Sequence, residues 1–134
     1  MARPVRPEQG ASPGSPGRQH VNKIVLFAFG GEQMCFIHVL LNALAYHDAG
    51  WQTRIVLEGE SVKLVPELVG QGPLVALYQR CRAAGLVAGV CLACSRKLGS
   101  YDAARAQGLA LLDDMNGHAG MLPFSRDGYT IVTF

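Results

Sequence analysis

Two cysteines three positions apart, Cys91 and Cys94, are the residues of this chain best suited to chemistry. They lie in Leu86-Val87-Ala88-Gly89-Val90-Cys91-Leu92-Ala93-Cys94-Ser95-Arg96-Lys97. This stretch reads as a short buried strand ending on Cys91, followed by a helix with Cys94 one turn in. Two thiols at that spacing can meet each other, share a metal, or act as nucleophile and resolver. The exposed N–H groups at a helix start carry partial positive charge, which favours the thiolate. Cys91, the last strand residue, is the candidate nucleophile. Cys94 is the candidate resolver or second metal ligand.

Cys35 follows the pair Gly30-Gly31 at another helix start and can line the same pocket. His118 follows Asn116-Gly117 near Asp113 and Asp114, where it can donate a proton or bind a metal. Cys35, Cys91, Cys94 and His118 together make three sulfurs and a nitrogen, an acceptable tetrahedral set for zinc. Zinc patterns usually hold two close pairs of ligands, and this chain has one. Each candidate also has a plain structural alternative, as a small buried residue for the cysteines or a capping or surface residue for His118. Cys81 lies on an apolar helix face and reads as core. His38 reads as surface or interface, and His47 complements a helix end. His20 belongs to the N-terminal extension. Gly30-Gly31 is no phosphate loop, because G-x-G-x-x-G and the Walker lysine are absent and Glu32 would repel phosphate.

The elements that must position these residues alternate. Lys23 to Phe29 is a continuous apolar run suited to a strand buried on both faces. Cys35 to Ala49 reads as a helix, apolar nearly all round, closed by Gly50. Trp51 to Leu57 is a second strand, ended by Glu58-Gly59-Glu60. Ser61 to Val69 and Pro73 to Ala84 read as helices. After the Leu86–Cys91 strand, helical pieces run to about Leu98 and from Tyr101 to Gln107. Leu109 to Leu112 is a fourth strand. Asn116-Gly117-His118 is read as opening a last helix that ends near Gly128, before a terminal strand over Tyr129 to Phe134. The order predicts a three-layer α/β/α fold with a mostly parallel sheet of about five strands. Ligands bind at the carboxyl ends of such strands. That edge gathers Gly31, Glu32 and Cys35 from the first strand and Glu58, Glu60 and Ser61 from the second. It also gathers Cys91 and Cys94 from the third, and Asp113, Asp114 and His118 from the fourth.

Composition narrows the classes. The chain has 134 residues, 49% hydrophobic, enough for one packed domain. Residues 1–22 carry four prolines and three glycines with few large apolar residues, and read as a disordered extension before a domain at 23–134. Arg3, Arg6 and Arg18 against Glu8 take three of the 12 bases and one of the 10 acids, so the domain is balanced. No basic stripe points to nucleic acid. No apolar run approaches the roughly 20 residues that span a bilayer, and no signal h-region is evident. A cytoplasmic location with reduced thiols is the expectation.

The apolar first strand, the glycine-acid loop, the apolar first helix and Ala88-Gly89-Val90-Cys91-Leu92-Ala93-Cys94-Ser95-Arg96-Lys97-Leu98-Gly99 resemble the DsrE/DsrF-like family of sulfur-relay proteins. The likeness covers about residues 23–134. It implies a compact α/β/α fold, assembly as a trimer or hexamer, and no bound cofactor. It also implies a sulfur carrier or sulfurtransferase holding a persulfide on Cys91, with sulfur donor and acceptor proteins as partners. Where the family usually has a small residue this chain has Cys94, and it has Arg96-Lys97 where an arginine pair is frequent. A nearby cation such as Arg96 or Lys97 would assist the thiolate. A zinc-binding module and a dithiol redox protein using Cys91 and Cys94 stand as alternatives.

Overall fold

The run predicted as the first strand forms β1, Lys23–Ala28, in the computed structural model, which describes residues 20–134. The extension expected over residues 1–22 lies, through residue 19, outside the described residues. β2 is Gln52–Leu57, β3 Val87–Cys91, β4 Leu111–Leu112 and β5 Thr130–Thr133. They form one sheet in the order β4-β3-β2-β1-β5, every pairing parallel. β1 and β2 are central, so both their faces must be apolar, and Ile24 through Ala28 are buried without a break.

The helices are α1 (Gln33–Asp48), α2 (Pro73–Ala83), α3 (Leu92–Lys97), α4 (Tyr101–Ala106) and α5 (Leu122–Arg126). The short helix expected over Ser61 to Val69 winds instead as a 3-10 segment, Gly59–Glu67, with Pro66 inside it. Ser61 ties its start down, donating to Ala28 O at 2.6 Å and Glu58 O at 2.8 Å. α1 stops where Gly50 takes φ +92, and Pro73 opens α2, where its missing N–H costs nothing.

The two sheet faces are covered unequally. One carries α1, α2, α4 and the 3-10 segment, which bury Phe36, Leu40, Val62, Tyr78, Cys81 and Ala104 against Leu26, Leu57 and Val90. The other buries Val25, Phe27, Val56, Cys91 and Ala119, with Phe124 and Tyr129 packed beside them. Its helical cover is the five-residue α5 together with the start of α3. Together they make the three-layer α/β/α arrangement. Among the described residues, no helix is long and apolar enough to cross a membrane.

A bulge in β3 decides where the thiols go. Ile55 pairs with Val87 but Val56 pairs with Gly89, so Ala88 is an extra residue opposite β2. An extra residue inverts the facing of all that follows. Cys91 thereby joins the thinly covered face, and Val90 the other. Gly89 makes the bulge possible, because a Cβ there would lie 2.5 Å from Ala110 O.

Candidate metal and thiol site

Cys91 ends β3 and is also the cap of α3. Its backbone is extended (φ −65°, ψ 125°), and its Sγ accepts the Cys94 N–H at 3.4 Å. A sulfur here does what a serine or aspartate oxygen does at most helix starts, taking one of the orphan N–H groups. The Ala93 N–H, another of that turn, is taken by Gly117 O at 2.9 Å. α3 is therefore stitched at its start to the segment that carries His118.

That segment is a hairpin turn, not the opening of a helix as the sequence suggested. Met115 and His118 exchange both backbone hydrogen bonds, at 2.8 and 2.9 Å. Asn116 (φ +53°) and Gly117 (φ +90°) fill the two central positions in left-handed backbone. Asn-Gly is the preferred pair for a two-residue turn of that hand. The Asp114 side chain takes the Gly120 N–H at 3.1 Å and closes the loop. α5 starts only at Leu122.

The turn delivers the His118 ring to the thiols. His118 Nδ1 lies 3.3 Å from Cys91 Sγ and 3.7 Å from Cys94 Sγ. The three atoms all fall within 4.8 Å of one another. Cys91 is wholly buried, Cys94 half-buried and His118 exposed, so the cluster has one solvent side. Cys91, Cys94 and His118 could hold a metal ion.

A fourth group closes on the cluster that the sequence reading placed at the strand edge but not in the site. Leu57 pairs with Val90, so Glu58 and Cys91 are the next residues of adjacent strands. Alternation along β2 puts Glu58 on the face of Val56 and Cys91. Glu58 is 7% exposed, and its Oε2 has no hydrogen-bond partner among the described residues. Burial raises its carboxyl above the ordinary 4.5, opposed by His118 and by the Ala119 N–H. Burial, followed by the Cys91 thiol, raises the Cys94 thiol above its ordinary 9.0, and the Gly59 N–H works the other way. The signal in the sequence was an acid directly after the apolar end, Ile55-Val56-Leu57, of β2.

The other candidates stand apart. Cys35, in the first turn of α1, is exposed, beside Gly30 and outside the 4.8 Å group. Glu32 precedes α1 with no side-chain cap bond and is exposed. Gly31 is a packing residue, because a Cβ there would lie 2.9 Å from Glu60 Cβ. Asp113 is exposed, and its carbonyl accepts the Gly117 N–H at 3.2 Å. Arg96 lies in the last turn of α3, stacked 4.9 Å from the Tyr101 ring, and its hydrogen bond holds that phenol below 10.0. Cys81 is core, as read, with Sγ 3.8 Å from Leu40 O and its thiol pushed up to about 11 by burial. Comparison of the chain with protein-family models, curated proteins and solved structures finds no match.

Proposed function

We propose that this chain binds a soft divalent metal, with zinc the fitting ion, through Cys91, Cys94 and His118. The convergence of their three donor atoms within 4.8 Å carries the reading. Zinc–sulfur and zinc–nitrogen bonds of about 2.3 and 2.0–2.1 Å give a tetrahedral S···N edge of about 3.6 Å. The two S···N separations, 3.3 and 3.7 Å, bracket it. Thiolates with an imidazole select zinc over magnesium or calcium, which prefer oxygen. The surroundings also favour a cation. Cys91, Cys94 and Glu58 are three acids on one spot, and among the described residues no lysine or arginine forms an ion pair with Glu58.

The second reading is the sulfur carrier that the DsrE-like resemblance implies. One observation favours it, the His118 nitrogen within reach of the Cys91 thiol proton. The full burial of Cys91 weighs against it, since sulfur would have to arrive first on the half-buried Cys94. Native mass spectrometry separates the two. The metal reading expects one zinc per chain after loading, retained in Cys35→Ser and lost in Cys94→Ser. The carrier reading expects the mass of one added sulfur on the Cys91–Cys94 peptide after incubation with a cysteine desulfurase and cysteine, and no bound metal.

A further inference from the structure

We infer that the centre is hydrolytic, with Glu58 as the acceptor for the proton of a metal-bound water; the inference rests on the metal reading above. Structural zinc sites use four protein ligands, and catalytic ones keep three with an open position. Among the described residues the cluster offers three, Cys91, Cys94 and His118. The open side is the solvent side, because His118 is exposed and Cys94 half-buried. Glu58 supplies the remaining part. It is more than nine-tenths buried, it sits beside Cys91 on the same sheet face, and it lies outside the 4.8 Å ligand group. Among the described residues, its Oε2 is the one carboxylate oxygen in the set of buried side-chain atoms that lack a partner, the others being the Ser95 and Ser100 hydroxyls. A buried carboxylate oxygen with no partner is costly unless something at the site uses it. The nearby Asp114 is already engaged by the Gly120 N–H.

The reaction class is metal-assisted hydrolysis of an acyl ester or amide. Water at the open position gives one proton to the Glu58 carboxylate, and the O–H electron pair stays on oxygen. The resulting hydroxide adds to the acyl carbon. The bond to the leaving group breaks with its electron pair on the leaving group, which takes the proton back from Glu58. Water is consumed, an acid and an alcohol or amine are formed, and nothing is oxidised or reduced.

The test uses the full chain and p-nitrophenyl acetate. Zinc-loaded protein should turn over many equivalents, whereas chelator-treated protein should release at most about one per reactive thiol. Glu58→Gln should keep one zinc per chain yet lose about 10²–10⁴-fold in rate, the usual worth of a positioned proton acceptor. Glu58→Asp should recover part of it. In the cobalt-substituted protein, azide should displace the bound water and shift the visible bands in both wild type and Glu58→Gln. Zinc bound one per chain without zinc-dependent turnover, or Glu58→Gln as active as wild type, overturns the inference and leaves the metal reading standing. Loss of zinc in Glu58→Gln also overturns it, by making Glu58 the fourth ligand of a closed site. Failure of the wild type to bind zinc removes the metal reading itself, and this inference with it.

Discussion

Cys94 holds its proton more tightly than an ordinary thiol, because it is half-buried and faces both Cys91 and Glu58. A metal must displace that proton, so binding at neutral pH releases at least about one proton per ion and weakens as pH falls. Titration calorimetry at pH 7 in buffers of different ionisation enthalpy should show this release, and a buffer-independent heat would contradict it. Cys81 is the opposite kind of thiol. With its value at about 11 and no exposure, it should resist iodoacetamide in the folded chain while the exposed Cys35 reacts. Its linkage sign follows. Below pH 9.0, its ordinary value, the thiol is protonated in both folded and unfolded chains and its full contribution is present. As pH rises from 9.0 toward about 11 the unfolded chain ionises first, and stability is lost. Cys81→Ala should flatten the fall of melting temperature over that window. Residue types alone separated Cys81 from Cys91 and Cys94, because a helical apolar face and a strand end are legible in sequence. Glu58 was harder, since its facing depends on the pairing of β2 with β3.

Two short elements carry the site, and both turn on a glycine. The bulge at Ala88-Gly89 sends Cys91 to the face of Glu58, and the Asn116-Gly117 turn brings in His118. Asn-Gly is a strong hairpin signal, yet the sequence reading took Asn116-Gly117-His118 as the opening of the last helix. The isolated Gly89 was a sign of a bulge, but its consequence for facing needs the partner strand. A β-branched residue in left-handed backbone costs at least about 1–2 kcal/mol. Gly117→Val should therefore loosen the turn and lower metal affinity about five- to thirtyfold by chelator competition, whereas Asn116→Gly should leave it unchanged. Equal affinity in Gly117→Val would mean that the hairpin does not place His118.

At the scale of the molecule, strand–helix alternation gave the parallel sheet and the three layers, because central strands buried on both faces must be continuously apolar. Strand order and the unequal cover of the two faces were not legible, since they depend on which edge β5 joins after β4. The trimer or hexamer that the family resemblance implies finds a surface to test. Met34 and Leu41 of α1 are 66% and 47% exposed, with the half-buried Ile37 between them. That expectation predicts an assembly by light scattering that Leu41→Glu disperses. A wild-type monomer at the same concentration would contradict it.

Cys91, Cys94 and His118 are proposed to form one metal site. Its most direct measurement is a cobalt titration followed through the sulfur-to-cobalt charge-transfer band, in wild type and in Cys91→Ser, Cys94→Ser, His118→Ala and Cys35→Ser. Saturation at one equivalent is expected in wild type and Cys35→Ser, and a weakened or absent band in the other three. No charge-transfer band in the reduced wild type, or a band that needs Cys35 and survives loss of His118, would contradict it.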